Sequence, residues 1–475
     1  MKIDLKNLTI TNAHEALKRG DFTSVELTQA YLDEISKKND DINAYLEVFD
    51  DALDAAEKAD EQIKSGNGTL LTGIPIAIKD NILIKGEIVS AASKILENYH
   101  ATYNATVISK LGKEGAVFMG RTNMDEFAMC GSTENSAFGV TKNPHDLTRV
   151  AGGTSGGSAA TVASNMALGA LGSDTGGSIR QPSAFCGTVG LKPTYGAVSR
   201  YGLMAAVSSF DQIGPISKTV DDVEIIFNAI KGKDKCDGTT IDEKTYPMKR
   251  IGKDKPIIGI PRLFLNLGGI DTDVSSAFNN AEKKLRDAGY EVKDIVLPMN
   301  EHALPVYYIL NFAEVSSNLA RYDGVKYGLH VDGKDVIDDY FETRRAGFGK
   351  ESIRRILLGT YVLSAGYHDA YYNRANAVRR MITDDFIKAF ESVDVVATPT
   401  TPAPAFKIGE KANDPVAMYL EDIFTVTANL TGMPAISIPC GTADRDGKKM
   451  PLGLQLTARH GDEGTLFEVG KEMEM

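Results

Sequence analysis

Tryptophan is absent from this 475-residue sequence, and cysteine occurs only four times. The four cysteines lie far apart and form no C-x-x-C pair, so the sequence indicates neither a zinc site nor a disulfide framework. It also lacks any apolar run of about 18 residues, the length at which a membrane-spanning helix becomes a candidate. The N-terminus has no continuous apolar stretch of the kind found in secretory signals. These absences predict a soluble, cytoplasmic protein that does not enter a membrane.

Net positive charge is lacking as well, since the formal net charge is -12 at pH 7. Phosphate backbones repel an acidic chain, so this chain is not expected to hold nucleic acid over a broad surface by itself. Any RNA would have to be held mainly by another protein of a complex. The hydrophobic content of 43% and the charged content of 24% are those of an ordinary globular protein with a large core.

Glycine and small hydroxyl residues are concentrated in two runs, residues 152–158 (GGTSGGS) and residues 172–182 (GSDTGGSIRQP). Glycine permits positive φ and close approach to backbone N–H groups, while serine and threonine supply nucleophiles and donors. A flexible linker uses the same residue types. However, the segment between the two runs is apolar, and the second run ends in a sequence of low redundancy. The pattern therefore favours a built site over a linker.

Predicted strands and helices alternate along the chain, which is typical of a layered α/β fold. A capping box at residues 23–26 begins one helix, which is predicted to end near residue 38, and a second helix follows at about residues 50–65. Strands are predicted at residues 74–79, 116–119, 168–174, 256–261, 290–297, 393–399, 435–439 and 452–456. No linker rich in proline, glycine or serine divides the chain. We therefore expect a single domain over residues 1–475, with an N-terminal helical layer (1–68), a core (69–220) and a mostly helical insertion (300–390).

A serine hydroxyl needs a base before it can attack a carbonyl, because it is almost fully protonated at neutral pH. None of the seven histidines stands beside the glycine runs. The alternating residues Ile74, Ile76 and Ile78 predict a strand that carries Lys79 at its end, where a rigid element can aim the amine. Lysine acts as a base if burial lowers its pKa from about 10.4 toward 7. The alternative is a solvated lysine at a strand end.

Ser178 is the nucleophile that Lys79 would serve, through an intervening hydroxyl. The backbone N–H groups of the residues before it turn into a predicted helix, so they can face the oxyanion of a tetrahedral intermediate. These residues are Thr175, Gly176, Gly177 and Ser178 itself. Ser155 is a second candidate nucleophile, because residues 153–157 match the G-x-S-x-G elbow of α/β-hydrolases. That elbow needs a preceding strand, for which residues 148–151 are a poor sequence, and a late histidine, for which only His460 is available.

Several motifs together resemble the amidase signature family over almost the full chain. They are Lys79, the two glycine runs, and residues 121–129 (RTNMDEFAM), 191–196 (LKPTYG) and 208–215 (SSFDQIGP). The resemblance implies one large α/β/α layered domain with a mixed central sheet. It also implies that Ser178 is the acyl-forming nucleophile, that Lys79 is the base, and that residue 154 is the bridging hydroxyl, held by a cis peptide.

Two positions depart from the family pattern. The family usually has serine at the bridging position, whereas this chain has Thr154. Threonine keeps the hydroxyl but its β-branch restricts χ1, and we expect Thr154 still to relay the proton. Cys130 opens a Cys-Gly-Ser run where the resemblance predicts a Gly-Ser-Ser type run. Cys130 is either a rival nucleophile or, as is more common for free cysteine, a small buried hydrophobe.

Within the family, the likeness is greatest to the glutamine-hydrolysing subunits of tRNA-dependent amidotransferases. That likeness implies that Arg355, Asp422 and Tyr308 bind glutamine, although Tyr307 fits nearly as well as its neighbour. An arginine fork suits the α-carboxylate of glutamine, and a carboxylate suits its α-ammonium group. Without the likeness, Arg355 and Asp422 would each be interpreted as a solvated charge on a helix.

The same likeness implies a heterotrimer that contains two further proteins, the B and C subunits of the amidotransferase. Ammonia released by this chain would pass to the B subunit, which uses ATP and magnesium to amidate Glu-tRNA(Gln) or Asp-tRNA(Asn). The small C subunit would clamp the pair, and the misacylated tRNA would be held mainly by the B subunit. This chain would then need no cofactor or metal of its own. The alternatives are a stand-alone amidase that acts on simple amides, and a scaffold without catalysis.

Overall fold

The structure is a computed structural model that describes residues 3–242, 244–246, 250–265 and 269–474. The α-helices are Ile10–Arg19 (α1), Ser24–Ile42 (α2), Ala52–Lys64 (α3), Thr106–Lys113 (α4), Gly156–Ala163 (α5), Arg180–Cys186 (α6), Val220–Ile230 (α7), Arg262–Leu265 (α8), Thr272–Asp287 (α9), Ala303–Asn318 (α10), Val336–Gly347 (α11), Lys350–Leu363 (α12), Arg374–Ala389 (α13), Pro415–Tyr419 (α14), Val426–Thr431 (α15) and Glu463–Glu474 (α16). The strands are Tyr45–Val48 (β1), Pro75–Lys79 (β2), Val117–Thr122 (β3), Lys142–Asn143 (β4), Asp146–Val150 (β5), Gly169–Asp174 (β6), Val189–Lys192 (β7), Gln212–Ser217 (β8), Ile258–Ile260 (β9), Val292–Asp294 (β10), Val395–Pro399 (β11), Ala435–Arg445 (β12) and Lys448–Ala458 (β13).

One sheet of eleven strands runs through the molecule in the order β1-β3-β2-β6-β8-β7-β12-β13-β11-β9-β10, and β4 pairs separately with β5. Strands β3, β2 and β6 are parallel to one another, as are β11, β9 and β10. The remaining neighbours in the large sheet pair antiparallel. The prediction of an α/β fold with a mixed central sheet is therefore confirmed.

Two large apolar clusters hold the helices against this sheet. The first surrounds the buried strands β2, β6 and β8 and includes side chains of α2, α4 and α7. The second joins α10, α13 and α15 through Leu310, Phe386 and Leu430. Residues 300–390 thus contain helices, as predicted. Two of these helices, α10 and α13, share an apolar cluster with α15, which lies outside that range. None of the helices in the described ranges is both long and apolar enough to cross a bilayer.

Strands β2 and β6 position the candidate site. Every residue of both strands is buried, as expected for central strands covered on two faces. Their parallel register pairs Ile76 with Gly169 and Ile78 with Leu171, so Lys79 and the second glycine run emerge at the same edge of the sheet. Helix α5 follows the first glycine run and packs closely on this edge. A Cβ atom on Gly157 would lie 2.4 Å from the carbonyl oxygen of Asn123, so only glycine fits at that position.

The N-terminal segment contains more than the two helices that the pattern predicts. The capping box of α2 is present, because Thr23 Oγ1 accepts the N–H of Glu26 and the Glu26 carboxylate accepts the N–H of Thr23. Helix α2 continues to Ile42, beyond its predicted end. Strand β1 was not predicted, and it pairs antiparallel with β3 at one edge of the sheet. Its four residues give too few alternations to be recognised in a sequence. The division of the chain into layer, core and insertion stays a prediction.

Candidate active site

Lys79 ends β2 with its side chain fully buried. Its Nζ atom lies 2.7 Å from Thr154 Oγ1, 2.8 Å from Ser155 Oγ and 2.9 Å from Ser173 Oγ. Within the described ranges, no carboxylate lies within ion-pair distance of this amine. Burial lowers the pKa of Lys79 to about 7, although more distant carboxylates oppose the shift. The alternative of a solvated lysine at a strand end is therefore wrong.

The hydrogen bonds around Lys79 determine which hydroxyl group can give a proton to its amine. Ser155 Oγ donates to the carbonyl oxygen of Ser173 at 3.1 Å, so its oxygen is left to accept a hydrogen bond from the amine. Ser173 Oγ also accepts from Asn81 Nδ2 at 2.9 Å. A neutral amine has two N–H donors and one lone pair. Lys79 Nζ also lies 3.2 Å from the carbonyl oxygen of Ser173, which is an acceptor only. If Ser155 and Ser173 accept both N–H groups, the lone pair faces the hydroxyl of Thr154. The Gly153–Thr154 peptide is cis, as the family resemblance implies.

Ser178 lies in the turn between β6 and α6 and is 7% exposed. Its carbonyl oxygen accepts the N–H of Ser155 at 3.0 Å, which ties the two glycine runs together. Across the described residues, its hydroxyl makes no hydrogen bond. The structure therefore brings Lys79 and Thr154 into contact, whereas no hydrogen bond among the described residues joins the Ser178 hydroxyl to Thr154. The three catalytic roles stay predictions.

A buried ion pair fixes the turn that carries Ser178. Arg180 is fully buried, and its five N–H donors meet Asp174 Oδ1 and Oδ2, Asn429 Oδ1, Gln455 Oε1 and the carbonyl oxygen of Thr425 at 2.7 to 3.0 Å. Burial by itself raises the pKa of Asp174, but the charge of Arg180 and the hydrogen bonds outweigh that effect and hold this pKa at about 2. The carboxylate is thus ionised and held in place at every ordinary pH.

The backbone of residues 174–178 shows which N–H groups a ligand can use. Asp174 Oδ1 already accepts the N–H of Gly177 at 2.9 Å. Thr175 is anchored through its hydroxyl, which donates to Asp211 Oδ1 at 2.6 Å. Within the described part of the chain, the N–H groups of Thr175, Gly176 and Ser178 make no hydrogen bond. Of the four residues predicted for the oxyanion hole, Gly177 is therefore the one whose N–H is already taken.

Arg355 is only 2% exposed, so its interpretation as a solvated helix charge is wrong. On α12, its Nε donates to Glu351 Oε1 at 2.8 Å, one helical turn earlier. Its Nη1 donates to Asn311 Oδ1 of α10 at 3.1 Å. Aromatic rings of Tyr308, Phe312 and Tyr419 lie 5.5 to 5.8 Å from the guanidinium carbon. Its Nη2 makes no hydrogen bond among the described residues, so one edge of the fork remains for a ligand carboxylate.

Asp422 and Tyr308 contact each other directly. The Tyr308 hydroxyl donates to Asp422 Oδ2 at 2.7 Å, and the Tyr308 ring stacks on Tyr419 with centroids 4.1 Å apart. Burial raises the pKa of Asp422 to about 7, while the Tyr308 hydrogen bond and the charge of Arg355 oppose that shift. The adjacent Tyr307 points elsewhere, since its hydroxyl oxygen accepts from Asn311 Nδ2 at 3.2 Å. The structure thus distinguishes two tyrosines that the sequence left nearly equivalent.

Several buried polar residues of the site were not predicted. Asp125 accepts the N–H groups of residues 132, 133 and 135, and burial raises its pKa to about 6. Burial likewise raises the pKa of Asp211 to about 6. The sequence offered a weak signal for both, because each carboxylate stands inside a motif, RTNMDEFAM for Asp125 and SSFDQIGP for Asp211. Asn311 and Glu351 carry no such signal, since polar residues are common on helices.

The alternative nucleophiles do not fit the structure. The prediction that residues 148–151 are a poor strand is wrong, because they overlap β5, which the hairpin partner β4 stabilises. Ser155 nevertheless is fully buried with its hydroxyl bonded to Lys79 and Ser173, so it is no exposed elbow. Cys130 has φ 108° and packs against the apolar cluster that contains Val150 and Phe406. Burial, followed by the charge of Asp125, raises the pKa of this thiol, which disfavours the reactive thiolate.

The family model described as Amidase matches residues 26–467. The chain belongs to the amidase family. This match covers the described strands, both glycine runs and helix α12, which carries Arg355. The buried lysine and the hydroxyl groups described above therefore lie within the amidase region. The chain is accordingly an enzyme of this family. In the described ranges, no group of three or more histidine, cysteine, aspartate or glutamate side chains is arranged to hold a metal ion.

The similarity to other amidases extends over almost the whole chain. It is 52% identical to the A subunit of the glutamyl-tRNA(Gln) amidotransferase of Thermoanaerobacter pseudethanolicus, over 99% of this chain and 97% of that one. The protein of the same name from Desulfatibacillum aliphaticivorans is 50% identical over 98% and 96% of the two chains. The crystal structure of the corresponding protein from Thermotoga maritima matches with a TM-score of 0.80 and 39% identity, covering 100% and 96%. The peptide amidase of Stenotrophomonas maltophilia matches with a TM-score of 0.81 and 27% identity, covering 99% and 97%. The predicted amidase fold is confirmed, and the chain belongs to the family of these amidotransferase A subunits.

Proposed function

We propose that this amidase is the glutamine-hydrolysing subunit of a tRNA-dependent amidotransferase. The observation that carries the proposal is the buried Lys79 amine, which contacts hydroxyl groups and has a pKa of about 7. Such an amine can remove a proton from Thr154 at neutral pH, and Thr154 in turn from Ser178. The names of the relatives support this choice over a stand-alone amidase.

The reaction begins with attack of Ser178 Oγ on the side-chain amide carbon of glutamine. Thr154 takes the serine proton while it gives its own to Lys79, and the N–H groups of Thr175, Gly176 and Ser178 donate to the oxyanion. The tetrahedral intermediate then collapses. The C–N bond breaks, the proton returns from Lys79 through Thr154 to the nitrogen, and ammonia leaves a glutamyl ester on Ser178. Water, deprotonated by the same route, cleaves this ester to release glutamate.

Glutamine would be held at its α-carbon by two opposite charges. The edge of the Arg355 fork that carries Nη2 suits the α-carboxylate, since a planar guanidinium can donate two parallel hydrogen bonds. Ionised Asp422, oriented by Tyr308, suits the α-ammonium group. A simple amide carries neither charge and would gain nothing from these residues. This pair of side chains therefore favours glutamine over an uncharged amide.

The partners follow from the same assignment. We propose a heterotrimer in which ammonia passes to the B subunit, where ATP and magnesium activate Glu-tRNA(Gln) or Asp-tRNA(Asn), with the C subunit clamping the pair. The relatives are named as A subunits of a glutamyl-tRNA(Gln) amidotransferase, which supports partner subunits and favours Glu-tRNA(Gln). The net charge of -12 supports holding the tRNA mainly through the B subunit. Because charged tRNA is consumed in the cytoplasm, we place the complex there.

Ammonia release from glutamine by the reconstituted complex tests the proposal. Ser178→Ala removes the nucleophile and should abolish release, whereas Ser164→Ala, at the end of α5, is a matched serine control that should keep it. A slow glutamine analogue should leave a glutamyl-sized adduct on the peptide that contains Ser178, detected by mass spectrometry. An adduct on Cys130 or Ser155, or full activity of Ser178→Ala, would contradict the mechanism and revive the alternative of a scaffold or a different nucleophile.

A further inference from the structure

A single buried carboxamide links Arg355 to the turn that carries Ser178. Asn311 is 2% exposed and lies in the middle of α10. Its Oδ1 accepts from Arg355 Nη1 at 3.1 Å, and its Nδ2 donates to the Tyr307 hydroxyl oxygen at 3.2 Å. Both polar ends of the side chain are therefore used, each toward a different part of the site.

Tyr307 extends this link to Gly176. A Cβ atom on Gly176 would lie 2.3 Å from the Tyr307 hydroxyl oxygen, so the hydroxyl rests directly against the backbone of that glycine. The Tyr307 ring is held by Phe210, with ring centroids 5.7 Å apart, and by the edge contact with Tyr308 at 5.0 Å. In addition, Thr425 Oγ1 donates to the carbonyl oxygen of Gly176 at 2.5 Å. Gly176 thus contacts two hydroxyl groups, one of which is joined to Arg355.

The donors in this chain of hydrogen bonds all run in one direction. Arg355 donates to Asn311, Asn311 donates to Tyr307, and the Tyr307 O–H proton has no acceptor among the described residues. A charged donor at the head of such a chain polarises each following hydrogen bond, so the last hydroxyl becomes a better donor. Through Asn311, the guanidinium is thus connected to the tyrosine beside Gly176.

We propose that Asn311 is a positioning residue that couples a carboxylate bound at Arg355 to the alignment of Gly176. The inference rests on the proposed function, because it takes Arg355 as the carboxylate fork and Gly176 as part of the oxyanion hole. When a carboxylate fixes the fork, Asn311 and Tyr307 hold the glycine N–H where the oxyanion develops. A substrate without the α-carboxylate leaves the fork unfixed and gains less from the link. Asn311 thereby makes the rate, and not only the affinity, depend on the α-carboxylate.

Three variants separate this coupling from simple packing. Asn311→Leu keeps a similar volume but removes the carboxamide, and with it both the acceptor for Arg355 and the donor to Tyr307. Tyr307→Phe keeps the ring stack and removes the hydroxyl. The double variant combines the two changes. Ser317→Ala on α10 is the matched control, since among the described residues that hydroxyl bonds only the carbonyl oxygen of Ala313. The full-length chain with its partner subunits is assayed for kcat and KM on glutamine and on butyramide, and wild-type release of ammonia from glutamine checks the proposed function separately.

The proposal expects each single variant to lower kcat on glutamine about tenfold, the scale of a lost hydrogen bond, with KM changed less than about threefold. The ratio of kcat on glutamine to kcat on butyramide should fall by a similar factor, and the double variant should resemble the single ones because they break the same link. Equal losses on both substrates, additive losses in the double variant, a change in KM alone, or wild-type kinetics would overturn the inference. Wild-type enzyme that releases no ammonia from glutamine would instead overturn the proposed function.

Discussion

The Nζ atom of Lys79 and the Oγ1 atom of Thr154 lie 2.7 Å apart, and both side chains are fully buried. An amine in this environment is poorly solvated when charged, so the neutral form that accepts a proton is populated near pH 7. Its nearest hydroxyl is that of Thr154, at the position where the family resemblance implies serine. The pH dependence and the role of Thr154 are therefore the most direct tests of the site.

Activity should rise with pH through about 7. The folded-state pKa of Lys79 is lowered to about 7, so below that pH the lysine is protonated and kcat should fall tenfold per pH unit. Asp422, whose pKa is raised to about 7, must be ionised to bind the α-ammonium group, so KM for glutamine should also fall as pH rises. Rates measured from about pH 5.5 to 9 check both limbs. In Asp422→Asn the pH dependence of KM should vanish, while that of kcat should remain. A kcat that is flat between about pH 6 and 8 would contradict the assignment of Lys79 as the base.

Removal of the Thr154 hydroxyl should slow acylation. Thr154→Val keeps the β-branched shape and deletes the relay, so we expect kcat to fall about 10²- to 10⁴-fold, the range for loss of general acid–base catalysis. Thr154→Ser keeps the hydroxyl and removes the restriction on χ1, so its kcat should equal or exceed that of wild type. Single-turnover acylation with glutamine measures both. Unchanged turnover in the valine variant would exclude the relay.

Arg355 should decide the preference for glutamine. Arg355→Ala removes the fork, and we expect kcat/KM for glutamine to fall about 100-fold, the cost of losing a charge-assisted contact of about 2–3 kcal/mol. Arg355→Lys keeps the charge but not the planar fork and should recover only part of that loss. A neutral amide such as butyramide, assayed in parallel, should lose far less. Equal losses on the two substrates would favour the stand-alone amidase instead.

The ion pair of Asp174 with Arg180 should dominate local stability. Asp174→Asn leaves a fully buried arginine without its counter-charge, and we expect the free energy of unfolding to drop by about 3–5 kcal/mol. Asp21→Asn is the matched control, because it breaks an exposed pair with Arg19 and should cost far less. Urea titration at pH 7 compares them. Since the pKa of Asp174 is depressed to about 2, this stabilisation is present above pH 3.8 and is lost as pH falls toward 2. Equal effects of the two substitutions would show that the buried pair is not special.

The central strands β7 and β8 were not predicted. Other strands could be predicted from the sequence because they are apolar runs next to glycine-rich turns. Strands β2 and β6 are examples, and their predicted boundaries agree with the structure to within one residue. Short or polar elements escaped this reasoning. Strands β1 and β5 are stabilised by hydrogen bonds to a partner strand, β3 and β4 respectively. The partner's residues are not part of the local pattern from which a strand is predicted. The same holds for Arg355, whose burial depends on aromatic side chains from two other segments.

The sequence by itself determined the two glycine runs, the strand that ends in Lys79 and the place of Ser178 in the second glycine run, because these features are local. Only the tertiary structure decided that Lys79 has no carboxylate within ion-pair distance among the described residues, that the N–H of Gly177 belongs to Asp174, and that Tyr308 rather than Tyr307 contacts Asp422. The reason is physical. A pKa, a hydrogen bond and the burial of a side chain depend on which distant segments surround a group. Residues hundreds of positions apart meet only when the sheet and its helices pack.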